Sequence, residues 1–117
     1  MIMKEIEIEI VTSAEEDYEE IYSLVTYISM KLGVEFLESA TIFFKMCDRL
    51  RKKIPLEMFY ADKLYGEMKL MQWHELSLDE IVNGAGEISG PPYYYVSINT
   101  SQNFGYYINL VKTSEIN

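Results

Sequence analysis

The chain has 117 residues, 49% of them hydrophobic and 25% charged, which fits one globular domain and excludes a disordered or low-complexity chain. Its formal net charge of −9 sets it against phosphate backbones and toward basic surfaces. Cys47 is the lone cysteine, so no intrachain disulfide can form; with no signal-peptide stretch and no run near the ~18 apolar residues of a membrane span, the expected setting is the cytoplasm.

Residues 2–11 read as a strand, with Ile2, Ile6, Ile8 and Ile10 on one face and Glu5, Glu7 and Glu9 on the other. Ser13-Ala14-Glu15-Glu16 has the form of a capping box, which predicts a helix from there to about Lys31. Its apolar stripe is Tyr18, Ile21, Val25, Ile28 and Leu32, and Gly33 is its left-handed stop. A second helix is expected over about 34–53, apolar nearly all round through Leu37, Ala40, Phe43, Phe44 and Met46, and closed by the basic run Arg49-Leu50-Arg51-Lys52-Lys53. Leu56, Tyr60, Leu64, Met68 and Met71 recur at helical spacing and favour a helix over 56–73, although Gly66 weakens it. Residues 77–82 read as a short capped helix and 84–92 as a glycine- and proline-rich loop. Strands over 93–99 and 104–112 form an expected hairpin about a turn at 100–103.

The expected architecture is a single α+β domain over 1–117, in the order β-α-α-(α)-α-β-β. It has a three-stranded, mainly antiparallel sheet, made of the N-terminal strand and the C-terminal hairpin, with three to four helices packed on one face. Strand parity turns Tyr94, Val96, Ile98, Tyr106, Ile108 and Leu110 inward. It leaves Tyr93, Tyr95 and Tyr107 outward, beside the glutamates of the first strand.

No catalytic motif stands out. Zinc sites need more Cys and His than one of each, and the acids do not follow a calcium-loop pattern, so neither metal nor cofactor is expected. Cys47 within an apolar helix reads as a packed small hydrophobe rather than a nucleophile for His74. Gly84, Gly86 and Gly90 lack both the dinucleotide spacing and the strand-to-helix setting of a phosphate cradle. Asn99-Thr100-Ser101 matches a glycosylation acceptor without a secretion signal to give it meaning.

The acidity is uneven. Residues 1–30 carry eight acids and one lysine, while 31–53 carry six bases and three acids. An aromatic sheet face with so little basic charge beside it does not suit single-stranded nucleic acid, so no direct nucleic-acid contact is expected. The pattern predicts a small acidic inhibitor or adaptor that docks on a basic protein surface. In size and charge it resembles phage-encoded defence inhibitors and toxin-immunity proteins, without sharing a motif. The candidate partner-binding residues are Glu5, Glu7, Glu9, Glu15, Glu16, Glu19, Glu20, Tyr93, Tyr95 and Tyr107. Two alternatives use the same residues differently: a homodimer or self-assembling subunit built on the tyrosine-rich face, and a small-ligand pocket or enzyme site near Trp73 and His74.

Overall fold

The computed structural model describes residues 2–63, 66–75, 93–98 and 105–113. The elements in chain order are α1 (Ile2–Glu16), β1 (Glu19–Glu20), α2 (Ile21–Leu32), α3 (Phe36–Leu50), β2 (Leu56–Ala61), β3 (Lys69–Met71), a 3-10 turn (Trp73–Glu75), β4 (Tyr93–Ile98) and α4 (Tyr106–Thr113). The class is α+β, as the sequence predicts, but the strands are largely different ones. Four antiparallel strands lie in the order β1-β4-β2-β3.

The first correction is at the N-terminus, where residues 2–11 are helical rather than a strand. Ile6, Glu7, Ile10, Val11 and Ala14 are its buried side chains, and they follow the three- and four-residue steps of one helix face. That stripe buries α1 against β4 and α4, which outweighs the β-branched alternation of its first ten residues. Ser13 consequently lies inside α1 and starts no helix. The chain leaves α1 at Asp17, crosses the two-residue β1, and enters α2 at Ile21. Glu20 stands at that helix start in an extended conformation without a side-chain cap.

α3 follows the expected pattern, and α2 does so from Ile21 on; the expected earlier turns, 13–20, fall in α1, β1 and the link between them, and Tyr18 of the expected stripe lies outside the helix. Ile21, Leu24, Val25 and Ile28 are buried along α2. Gly33 ends it at φ 67°, its N–H donating to the Ser29 carbonyl at 2.9 Å, a conformation that glycine adopts without the Cβ clash. α3 buries Ser39, Ala40, Phe43, Met46, Cys47 and Leu50, but Leu37 is 53% exposed, so this helix is not covered all round. The basic run closes α3 as expected: Arg51 pairs with Asp48 at 3.2 Å and its guanidinium lies 4.7 Å from the centroid of the Trp73 ring.

The segment 56–73 is not a helix. β2 and β3 pair antiparallel, with Met58 opposite Met71 and Tyr60 opposite Lys69. The hairpin of 93–99 with 104–112 also does not form. β4 pairs instead with β2, Leu56 opposite Ile98 and Met58 opposite Val96, while α4 replaces the second arm. Ile108 and Val111 are buried one turn apart in α4, Tyr106 is 49% exposed, and Leu110 is only half-buried. The expected short helix at 77–82, the loop at 84–92, the turn at 100–103 and the Asn99 acceptor lie outside the described residues.

Leu56, Met58, Val96 and Ile98 share one sheet face and join Ile6, Ile10, Val25, Ile28, Phe43 and Leu50 in the core. The expected inward parity of β4 therefore holds. The opposite face is not an open surface. Tyr95 and Ala61 are fully buried there, and Phe59 meets Tyr18 edge-on at 5.0 Å.

Candidate functional site

Recasting residues 2–16 as a helix rearranges the acids on which the expected site rested. On a strand Glu5, Glu7 and Glu9 would form one row. On α1 Glu5 and Glu9 lie one turn apart on one side, and Glu7 points away from them into the core stripe. Glu7 is buried, and its Oε1 accepts a hydrogen bond from Arg49 Nη2 at 3.1 Å. Glu5 is exposed and pairs with Lys31 at 3.2 Å; that hydrogen bond and charge hold the Lys31 ammonium above its usual range.

Glu15 has a structural task as well. Its two carboxylate oxygens accept hydrogen bonds from the backbone N–H groups of Tyr107 and Ile108, each at 3.2 Å. These are among the donors that a helix start leaves unpaired, and a carboxylate there also complements the positive end of the helix dipole. Replacing Glu15 with Ala should destabilise the protein by about 1–2 kcal/mol, in the range of a lost helix cap. Hydrogen exchange should show amides of α4 opening faster while those of α3 stay protected; uniform acceleration in both helices would mean that Glu15 does not act locally.

The tyrosines also separate. Tyr95 is fully buried, Tyr93 is half-buried opposite Ala61, and Tyr107 packs partly buried against the core and edge-on to Tyr106 at 4.9 Å. They do not form an exposed row with the glutamates.

What remains of the expected site is a more compact group. Glu9 and Glu16 lie two turns apart on the same side of α1. β1 then brings Glu19 within reach of their charges, with Glu20 next to it in the chain. Burial, followed by the charges of Glu9, Glu20 and Glu16, pushes the Glu19 carboxyl above the usual carboxylate range, and burial does the same for Glu20. The ion pairs Lys31–Glu5, Arg49–Glu7, Arg51–Asp48 and Lys69–Asp62 engage other carboxylates. Glu9, Glu16, Glu19 and Glu20 have no ion-pair partner among the described residues.

The other candidate positions are accounted for by packing. Trp73 donates from Nε1 to the Leu56 carbonyl at 3.3 Å, meets Phe44 edge-on and underlies Arg51, which fixes the 3-10 turn against α3. His74 is exposed on that turn. Cys47 is fully buried, and burial pushes its thiol well above the usual range, so it stays protonated and unreactive. Among the described residues no three His, Cys, Asp or Glu side chains are grouped to hold a metal ion, and no helix is long and apolar enough to cross a membrane. Comparison with protein-family models, curated proteins and solved structures finds no significant match.

Proposed function

We propose that this protein is a small acidic binding protein that docks on a basic protein surface, as an inhibitor or adaptor would, through Glu9, Glu16, Glu19 and Glu20. The observation that carries this is the gathering of four carboxylates, one partly desolvated among the charges of three others, with no ion-pair partner among the described residues. Such an arrangement costs the isolated fold stability. A basic partner would supply the missing charge and turn that cost into affinity.

Two measurements follow from the same charges. A group whose carboxyl is held above its ordinary range contributes stability that is present in acid and lost as pH rises through the raised value. Glu19→Gln removes that loss, so the variant should melt higher than the wild type at neutral pH and show little advantage in acid. Replacing all four acids with Gln should weaken capture of a basic partner from the native cell by about tenfold or more, equivalent to 1.4 kcal/mol. Raising salt should weaken the wild-type complex, because exposed charges are screened beyond about 10 Å at 0.1 M. A partner retained equally by the four-Gln variant and at high salt would sink the proposal.

A further inference from the structure

Among the described residues, α1 and α4 are held in unequal ways. α1 has three ties that do not involve α4. Glu5 pairs with Lys31 of α2 at 3.2 Å, and Glu7 pairs with Arg49 of α3 at 3.1 Å. The Ala14 carbonyl accepts from Ser97 Oγ of β4 at 3.3 Å. α2 and α3 pack on each other, and β4 is paired along its length with β2. α4 lies outside the sheet and packs chiefly on α1. Glu15 accepts from the N–H groups of Tyr107 and Ile108, each at 3.2 Å, while Ile108 and Val111 are the buried side chains of α4. Tyr106, Asn109, Lys112 and Thr113 are exposed. The dependence therefore has a direction: the sheet, α2 and α3 hold α1, and α1 holds α4.

α4 has eight residues, too few to offset the cost of nucleating a helix in water, so leaving α1 and unwinding are one event for it. Gly105 stands at its start at φ 93°, and glycine regains more backbone freedom than any other residue when the chain is released. The apolar burial given up is that of Ile108 and Val111. Native proteins open in contiguous units, and those with little buried apolar surface open first.

We infer that α4 is a detachable latch, which leaves α1 as one unit while α1, α2, α3 and the sheet stay folded. Glu15 is its catch. Closed, the Glu15 carboxylate is spent on a helix start; open, it is released, next in the chain to Glu16. The latch is thus a two-state device that changes the charge offered at the end of α1 without unfolding the domain. It does not depend on the acidic docking proposed above.

The test is native-state hydrogen exchange on the full chain, followed residue by residue through sub-denaturing urea. The amides of Asn109 to Val111 should exchange through an opening at least about tenfold more populated than the one that exposes α1, α3 and β2. That opening should be nearly independent of urea, because urea sensitivity scales with the surface exposed, whereas the openings of α3 and β2 should steepen with it. Glu15→Gln keeps the size of the side chain and removes its charge, and it should speed exchange in α4 by about tenfold, in the range of a lost helix cap. Ile108→Ala should also speed α4 without touching the catch. Both variants should leave α1 and α3 at wild-type rates. A single urea-dependent opening shared by α4 and α3 overturns the inference. So do α1 amides that open together with α4, an α4 without protection in the wild type, or variants that accelerate all the helices alike.

Discussion

Arg49→Leu should destabilise the protein by about 3 kcal/mol, because it removes the partner of a buried carboxylate while leaving the carboxylate in place. The Glu7 side chain is 5% exposed and the Arg49 side chain 38%. That asymmetry decides which half of the pair is dangerous to remove. In Glu7→Leu the arginine can turn outward and regain water, and a leucine at position 7 continues the apolar stripe of α1. In Arg49→Leu the carboxylate has no such exit. Chemical denaturation should therefore rank Arg49→Leu well below Glu7→Leu, and the double substitution should recover most of the loss. Equal losses in both single variants, with no recovery in the double, would show that the pair contributes only through packing.

Phe43→Ala should cost about 3–5 kcal/mol, the range for truncating a buried aromatic side chain. Phe43 is fully buried in the core, with Phe44 edge-on at 5.3 Å. It sits where α3 meets the rest of the core, so neighbours on several elements would have to move together to fill the void. At about 4 °C per kcal/mol the melting temperature should fall by roughly 10–20 °C. A fall of only a few degrees would mean that this part of the core collapses around the vacancy.

What the sequence discloses, and what it hides, turns on the arithmetic of periodicity. A spacing of four residues satisfies a helix face and, being even, a strand face too. Ile2, Ile6 and Ile10 are spaced by four, and so are Leu56, Tyr60, Leu64 and Met68. The first series folds as helix, and the described part of the second begins as a strand. Odd steps discriminate. Glu7 to Ile10 and Val11 to Ala14 are steps of three, which a strand would place on opposite faces and α1 buries together. A glutamate within the stripe disguises it, because its cost of burial is offset by Arg49, forty-two residues away, which no local pattern reveals. α3, and α2 from Ile21 on, are legible because steps of three and four alternate along them, as in Ile21, Val25, Ile28 and Leu32, and Gly33 supplies an unambiguous stop for α2; β4 is legible from its run of aromatic and β-branched residues.

The candidate site was legible in part for the same reason. Glu16, Glu19 and Glu20 are near one another in the chain, so any fold would keep them close. Glu9 joins them only once residues 2–16 are wound as a helix. Glu15 could not be separated from its neighbours by sequence, since its partners, Tyr107 and Ile108, lie more than ninety residues away along the chain. The burial of Tyr95 was equally hidden, because strand parity assigns a face to a side chain but not what covers that face.

The contact between Glu15 and α4 also bears on the order in which the chain is made. A ribosome delivers α1 long before β4 and α4, the elements on which its buried stripe rests. An eight-residue helix is too short to hold its own shape in water, so α4 depends in turn on α1. The nascent chain therefore emerges with Ile6, Ile10 and Val11 uncovered and keeps them so until its later segments arrive. Closure of this core waits on β4 and α4, and until they emerge α1 is the part most in need of protection from aggregation.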